Sequence, residues 1–295
     1  MSAPASRPAL DARHGAMLAE MGINIWWREG ATAVAAPAVP PREPAAAGRS
    51  VPPSSLVAVA PSSRPTVRPA QTLDAVPAPV MSHPCAVVEP VALPGDLSAL
   101  DELIRTCGAC ELGVRRRQAV PGMGDPRPDW LIVGEAPGEE EDRQGLPFVG
   151  RAGQLLDRML AAMNLSRARQ VYIANVIKCR PPHNRNPDPA EIAQCEPYLL
   201  RQIELLQPRF ILALGRFAAH TLLTHATQPG AEALRQLPLG KLRGRVHEVE
   251  IAGQRLPLVV SYHPAYLLRS PAEKAKSWAD LCLALDAFER LPARG

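Results

Sequence analysis

From residue 96 to residue 295, the apolar positions alternate between a helical spacing and short continuous runs. Apolar residues three or four apart, which are typical of helices packed on a core, occur in "DLSALDELIRTC", "AGQLLDRMLAAM", "DPAEIAQCEPYLLRQIELLQP" and "AEKAKSWADLCLALDAFERL". Buried strands are indicated by "DWLIVG", "QVYIANVIK" and "RFILALG", and "RVHEVEIAGQRLPLVVSYHP" predicts a β pair. Strands that alternate with helices predict an α/β fold of three layers, α/β/α, with a short and mainly parallel central sheet.

Three polar motifs come directly after predicted strands. They are "GEAPG", "NVIKCRPP" and "SYHPAYLLR". Because ligands bind at the carboxyl ends of parallel strands, the three motifs are expected to share one site. The first motif continues into an acidic run, "GEEED", and composition alone does not decide whether these acids are solvated, bind a metal or take part in chemistry.

The N-terminal third of the chain has a different composition. Nearly half of the 33 prolines precede residue 96, and residues 30–95 have too few large apolar groups to offset the entropy of ordering them, which predicts a disordered linker. Residues 1–29 predict a short helix with an aromatic tip, either a weakly structured tail or a docking motif for a protein partner. The sequence has no secretory signal and no apolar run long enough for a membrane span, which predicts a cytoplasmic protein.

Charge and cysteine content narrow the chemistry. A net charge of +4 permits nucleic-acid binding without demonstrating it. Four of the six cysteines form two pairs, Cys107 with Cys110 and Cys179 with Cys195. In a chain without a secretory signal this pattern favours a metal site over disulfides. Zinc and an iron–sulfur cluster both fit four thiolates, and the spacing does not separate them.

The motifs "GEAPGEEEDRQGLPFVGRAGQLL", "NVIKCRPPHNRNP" and "SYHPAYLLRSPAEKAKSW", with the four cysteines around them, resemble the family 4 uracil-DNA glycosylases. The resemblance covers residues 98–290 and none of the N-terminal part. It implies a monomeric repair enzyme of the bacterial cytosol or nucleoid that flips uracil out of single- or double-stranded DNA, hydrolyses its N-glycosidic bond and leaves an abasic site. It also implies a [4Fe-4S] cluster with Cys107, Cys110, Cys179 and Cys195 as ligands.

The resemblance further implies roles for residues of the three motifs. An aromatic face stacks on a flipped base, and a side-chain amide matches the carbonyl and imide N–H of uracil but not the edge of cytosine. A histidine donates to the carbonyl oxygen on which negative charge develops, and carboxylates position water or stabilise the cationic sugar. The catalytic residues are then Glu135, Glu141 and His263, and the substrate-binding residues are Gly134, Ala136, Phe148 and Asn175.

The other acids of the run, Glu139, Glu140 and Asp142, are expected to be solvated or hydrogen-bonded within the loop. A carboxylate next to an anionic leaving group or a DNA phosphate is unfavourable. Related covalent-trapping glycosylases carry a longer basic insertion with a nucleophilic histidine, and "KCRPPHNRNP" has no such insertion. A turnover enzyme is therefore predicted, in which His183 is not a nucleophile.

DNA contacts are expected on both sides of the pocket. An apolar wedge that fills the vacated base stack is predicted from Tyr266, Leu267 and Leu268, with the alternative that the two leucines are core residues of a short helix. Phosphate neutralisation is predicted from Lys178, Arg180, Arg185 and Arg269. A loop beside Cys179 would link the cluster to DNA binding, so the cluster is expected to be structural, without a redox step.

One alternative belongs to another functional class. A protein of the same fold could bind DNA without catalysis, for example in association with a polymerase. The presence of Phe148, Asn175 and His263 argues against this alternative, because a purely binding protein has no need of a stacking ring, an amide and a histidine donor in these motifs.

Overall fold

A computed structural model describes residues 93–228 and 230–294. The predicted docking segment 1–29 and nearly all of the predicted linker lie outside the described residues. The last three linker positions are described: Leu93 packs against the small cluster of Leu100 and Ile104, and the Pro94 carbonyl accepts a hydrogen bond from Arg201 Nε at 2.8 Å. Packing against the domain therefore includes positions that were assigned to the linker.

The described part contains a single six-stranded sheet in the order β1-β3-β2-β4-β6-β5. The four inner strands run parallel, and the two edge strands, β1 and β5, are antiparallel to their neighbours. The prediction of a mainly parallel sheet is confirmed. The strands are β1 (Met123–Gly124), β2 (Trp130–Gly134), β3 (Val171–Asn175), β4 (Phe210–Leu214), β5 (Val246–Ile251) and β6 (Gln254–Ser261).

Helices connect the parallel strands and cover the sheet. The four long segments predicted to be helical all form helices, and shorter ones occupy the connections. In chain order they are α1 (Leu97–Thr106), α2 (Glu111–Arg115), α3 (Glu139–Gln144), α4 (Arg151–Ala162), α5 (Pro189–Leu206), α6 (Arg216–Leu223), α7 (Ala231–Leu234), α8 (Leu239–Leu242), α9 (Pro264–Arg269) and α10 (Lys274–Glu289), with 3₁₀ turns at Pro182–Asn184 and Pro271–Glu273. No helix among the described residues is long and apolar enough to cross a membrane.

Alternate residues of each inner strand pack into two separate cores. In β2, Leu131 and Val133 belong to the core that includes α5 and α6, whereas Trp130 and Ile132 belong to the core that includes α4 and α10. Strands buried on both faces read as continuous apolar runs, which is why "WLIV" shows no alternation. The three-layer α/β/α prediction is confirmed.

The strand register brings the predicted motifs to one edge of the sheet. Gly134 at the end of β2 pairs with Asn175 at the end of β3, and Leu214 at the end of β4 pairs with Ser261 at the end of β6. Because these strands are parallel, the segments that follow all four of them leave from the same edge, where ligand sites of open α/β sheets occur.

Candidate active site

A cavity of about 900 Å³ opens at this edge of the sheet. Pockets for small ligands measure about 300–1,000 Å³, so there is room for a planar heterocycle and for further groups attached to it. Six of the predicted catalytic and substrate-binding residues line the cavity: Glu135, Ala136, Glu141, Phe148, Asn175 and His263. The fold therefore gathers residues from the ends of β2, β3 and β6, and from the loop before α4.

The aromatic and amide side chains of the pocket pack directly on Gly134. A Cβ atom at Gly134 would lie 2.4 Å from Asn175 Oδ1 and 2.6 Å from Phe148 Cζ, so only glycine leaves room for both. Asn175 Oδ1 is buried and has no hydrogen-bond partner among the described residues. Because an unpaired buried acceptor is costly, a ligand that offers an N–H group to this oxygen would stabilise the pocket.

The backbone of Phe148 has a strained conformation, and neighbouring residues hold it in place. Its φ of 53° is one that residues with a side chain rarely adopt. Arg167 donates to the carbonyl oxygens of Phe148 and Pro147, and a Cβ atom at Gly153 would lie 1.7 Å from the Phe148 oxygen. Sequence analysis missed Arg167, because its contacts exist only after the loop has folded against the sheet.

The surroundings of His263 define its hydrogen-bonding state. Its Nδ1 accepts the backbone N–H of Ala265 at 3.2 Å, so the ring proton belongs on Nε2. Burial lowers the pKa of His263 to about 4, and the Arg269 guanidinium acts in the same direction. The ring stacks on Phe148 with centroids 5.3 Å apart. At neutral pH this histidine is therefore an uncharged imidazole with a single N–H donor at the cavity wall.

Glu141 lines the cavity, and both of its carboxylate oxygens accept hydrogen bonds from backbone N–H groups. Oε1 accepts the N–H groups of Val149 and Gly150 at 2.9 and 3.1 Å, and Oε2 accepts that of Gly138 at 3.1 Å. Three donors hold the carboxylate in place, and they close the loop that carries Phe148. These contacts make Glu141 a loop-positioning residue, and its catalytic role stays a prediction.

The other acids of the run differ: Glu139 is exposed and Glu140 pairs within its own helix, as expected, whereas Asp142 is buried and bonds outside the loop. Glu139 forms an ion pair with Arg180 at 3.5 Å, and Glu140 pairs with a residue of the next helical turn. Asp142 is buried and accepts the backbone N–H of Arg117 at 2.9 Å. Within residues 93–228 and 230–294 these carboxylates do not form a metal site.

Glu135 is the predicted catalytic carboxylate that faces cations. Burial raises the pKa of Glu135, and the guanidinium groups of Arg216 and Arg269 oppose that rise. Both arginines line the same cavity. Arg216 was not predicted; it follows Gly215, whose φ of +91° makes the tight turn at the end of β4. That strand-end glycine in "ALGR" was the signal that would have found it.

A second, smaller cavity is lined by the four paired cysteines, Cys107, Cys110, Cys179 and Cys195. Two of their sulfur atoms accept hydrogen bonds: Arg116 Nη1 donates to Cys179 Sγ at 2.8 Å, and the Lys178 backbone N–H donates to Cys195 Sγ at 3.2 Å. Such donors stabilise anionic sulfur ligands. Spacing had predicted two pairs, and the fold brings the pairs around one space.

Four cysteine sulfur donors around one space suit an iron–sulfur cluster and a zinc ion alike. Burial raises the pKa of the Cys195 thiol to about 12, and the Lys178 ammonium opposes the rise. Iron bound to this sulfur would keep it deprotonated.

The structure contradicts one member of the predicted wedge, and the other two stay predictions. Leu267 is fully buried in the core beside α4 and α10, so it packs as a core residue and its predicted DNA contact is wrong. Tyr266 and Leu268 are 37% and 38% exposed. Tyr266 packs against Tyr262 with ring centroids 4.9 Å apart, and the Arg243 guanidinium covers the Tyr262 ring at 4.1 Å. Tyr266 is therefore an exposed ring on a rigid base.

The structure treats the four predicted phosphate contacts differently. Lys178 is 1% exposed, so a phosphate contact for its side chain is wrong. Arg185 makes a two-point ion pair with Glu191, at 2.6 and 2.9 Å, that balances its charge. Arg180 is shared between Glu139 and the Asn184 side chain. Arg269 is exposed and lines the cavity, and its phosphate contact stays a prediction.

The fold and the cavity define a three-layer α/β protein with a ligand-sized cavity at the carboxyl ends of its parallel strands. A protein-family model described as the uracil DNA glycosylase superfamily matches residues 121–282. The chain belongs to this superfamily.

Type-4 uracil-DNA glycosylases are among the relatives of the chain. That of Pyrobaculum aerophilum is 44% identical over 197 residues, which cover 65% of this chain and 97% of the relative. That of Archaeoglobus fulgidus is 42% identical over 178 residues, 59% of this chain and 86% of the relative. That of Thermotoga maritima is 38% identical over 180 residues, 61% of this chain and 87% of the relative.

Proposed function

We propose that this chain excises uracil from DNA by hydrolysing the bond between the base and the sugar, as its type-4 relatives are named for doing. The observation that carries the proposal is the wall of one cavity, where the Phe148 ring, the unpartnered oxygen of Asn175 and the neutral ring of His263 meet. The non-catalytic alternative is disfavoured, because binding DNA does not require this combination.

Recognition of uracil would use Phe148 and Asn175. The base, once flipped out of the helix, stacks on the Phe148 ring. The Asn175 oxygen accepts the imide N–H and its amide donates to the adjacent carbonyl, which satisfies an acceptor that is otherwise buried without a partner. Cytosine has no N–H at the imide position and presents an amino group to the amide donor, so the same pocket disfavours it.

His263 would stabilise the leaving group. As the bond between the sugar carbon and uracil breaks, the electron pair leaves with the base and negative charge builds on its carbonyl oxygens. A neutral imidazole with its proton on Nε2 donates a hydrogen bond to that charge without having to lose a proton. The backbone N–H of Ala265 fixes this tautomer by donating to Nδ1.

Glu135 would act on the sugar side. Cleavage generates an oxocarbenium-like sugar and a uracilate anion; water adds to the sugar carbon, and the proton that it loses is finally taken up by the uracilate. A carboxylate in the cavity stabilises the cationic sugar and orients the water, and Arg216 and Arg269 oppose the burial-induced rise of its pKa. Glu141, by contrast, would act through the loop, because three backbone N–H groups occupy its oxygens.

Cys107, Cys110, Cys179 and Cys195 would hold a [4Fe-4S] cluster. They line one cavity, and their sulfur atoms receive donors from Arg116 and from the backbone of Lys178. Such a cluster would cross-link α1 and α2 to the loop after β3 and to α5, and this structural role requires no electron transfer for base removal. The fold, not the chemistry, would then fail when iron is removed.

DNA would be held by the rim of the cleft. Tyr266 is the better wedge, because Tyr262 and Arg243 support its ring from behind, and base–aromatic stacking contributes about 1–3 kcal/mol. Leu268 extends the exposed apolar surface. Arg269 is the stronger phosphate-contact candidate, because Arg185 is paired with Glu191 and Arg180 with Glu139.

The test is a cleavage assay on a uracil-containing oligonucleotide, followed by alkaline scission of the abasic site. Wild-type protein should release uracil. His263→Ala and Asn175→Ala should each lower the rate by about 100-fold or more with the cluster absorbance retained. His225→Ala is a matched control, because His225 pairs with Glu196 away from the cavity. An iron-loaded wild type that forms no abasic sites would refute the proposed activity.

A further inference from the structure

Lys178 is a buried cation between the two cavities of the domain. Its Nζ donates to the backbone oxygen of Asn175 at 2.8 Å and to Gln202 Oε1 at 2.6 Å. Gln202 is itself fully buried and donates through Nε2 to the Pro121 oxygen at 2.9 Å. The lysine therefore ties the end of β3 to α5 and to the segment before β1.

The same residue also touches the sulfur cavity. Its backbone N–H donates to Cys195 Sγ at 3.2 Å, and Cys179 follows it in the chain. Residues 175–178 are all buried, and they run from the pocket wall to the cysteines. Along this run, Val176 and Ile177 donate to the carbonyl oxygens of Gly134 and Glu135 at 3.0 and 3.2 Å. A rigid segment of four residues, 175–178, thus joins the pocket wall to the cysteines.

We propose that Lys178 is a positioning residue, which fixes the carboxyl end of β3 so that the Asn175 amide stays turned to the edge of the base. This inference rests on the proposed function and goes beyond it, because no part of the excision chemistry requires a lysine at this place.

The physical reason for an ammonium is the pair of oxygens that it joins. Burying an ammonium is costly unless it is hydrogen-bonded and near a compensating anion. Lys178 has two buried oxygen acceptors, and the Asp101 carboxylate supplies a nearby negative charge. An apolar side chain of similar length would fill the volume but leave the Asn175 carbonyl and Gln202 without their donor.

Uracil contact by Asn175 depends on small displacements. Its Oδ1 faces Gly134 at a distance that tolerates no added atom, and an error of about 1 Å in positioning can cost about 100-fold in rate. Without the hydrogen bond from Lys178, the Asn175 carbonyl would lose its side-chain donor and the end of β3 could shift. The expected consequence is a weaker contact with the base and an unchanged contact with the DNA backbone.

The test compares two oligonucleotides by fluorescence anisotropy. One carries a 2′-fluoro-deoxyuridine, whose fluorine disfavours the cationic sugar and so should prevent cleavage, and the other carries a tetrahydrofuran abasic-site analogue. The ratio of the two affinities reports the base contacts alone. Lys178→Met should lose about tenfold in this ratio, with wild-type affinity for the abasic analogue and the wild-type iron content per chain. Gln202→Met should show a smaller loss in the same direction, because it removes one of the two acceptors.

Lys241→Met is the matched control, because Lys241 is exposed on α8. It should leave the affinity ratio, the iron content and the cleavage rate unchanged. Wild-type ratios in both Lys178→Met and Gln202→Met would overturn the proposal. If Lys178→Met does not fold or does not retain iron, Gln202→Met decides, and a wild-type ratio in that variant overturns the proposal too. The wild-type cleavage assay separates this failure from failure of the proposed function.

Discussion

Replacing Gly134 by alanine tests the geometry of the pocket with one added methyl group. The new Cβ would lie 2.4 Å from Asn175 Oδ1 and 2.6 Å from Phe148 Cζ. Ordinary contacts begin at about 3.5 Å, so the amide and the ring must each move by about 1 Å. Neither moves easily, because Phe148 is held by Arg167 and Asn175 by Lys178.

The expected cost follows from these displacements. A misplacement of about 1 Å at a reacting site can lower the rate by about 100-fold, which corresponds to about 2.7 kcal/mol of transition-state stabilisation. Overpacking should also lower the free energy of unfolding by about 1–3 kcal/mol. Iron content should not change, because the cysteines line a different cavity.

The assay is single-turnover excision from a uracil-containing oligonucleotide, with urea unfolding measured in parallel. Gly95→Ala is the matched control, since a Cβ atom there meets nothing within 4 Å and the position is exposed. It should keep the wild-type rate. A Gly134→Ala rate within twofold of wild type would refute the assignment of Phe148 and Asn175 as the base-contacting pair.

Three further predictions concern stability. Glu141→Ala should lower the free energy of unfolding in urea by about 1–3 kcal/mol, because three backbone N–H groups lose their acceptor, and an unchanged value would argue against the loop-positioning role. Leu267→Ala should lower the free energy of unfolding by about 2–5 kcal/mol, because Leu267 is fully buried. Leu268→Ala should change it by no more than about 0.5 kcal/mol, because Leu268 is 38% exposed. Equal effects of the two substitutions would contradict the orientation of α9. His263 is harder to protonate in the folded state, with a pKa of about 4 against 6.5 in the unfolded chain, so its contribution should make stability fall as pH decreases from 6.5 to 4 and stay constant above 7. Comparison of pH-dependent unfolding for wild type and His263→Gln checks this, and a difference that grows above pH 7 would show the wrong sign.

Local patterns were sufficient for the architecture and for most of the pocket. Apolar runs with no alternation marked strands buried on both faces, and motifs at three strand ends marked one shared edge. The signals failed where a side chain's role depends on which face of a short helix is buried. Leu267 and Leu268 are adjacent and chemically identical, yet one lies in the core and the other reaches solvent.

The sequence patterns also failed to predict that a charged side chain is buried. A lysine two residues before an arginine in "KCRPP" is typical of a phosphate-binding loop, and the sequence offers no sign that Lys178 turns inward to Asn175 and Gln202. The pocket contacts of Arg167 and Arg216 were not predicted, for a related reason. Their contacts join segments that are distant in sequence, and no spacing rule predicts such contacts.

The sequence by itself determined the kinds of chemistry available: an aromatic ring, an amide, a histidine, carboxylates and two pairs of thiols, each attached to a strand or helix whose type follows from its apolar period. Tertiary structure alone decided how each group is used. It placed backbone N–H donors on the Glu141 carboxylate and left the Asn175 oxygen without a partner among the described residues. It also fixed the His263 proton on Nε2. The physical reason is that hydrogen-bond partners, burial and pKa depend on neighbours in space, whereas a sequence pattern specifies only neighbours along the chain.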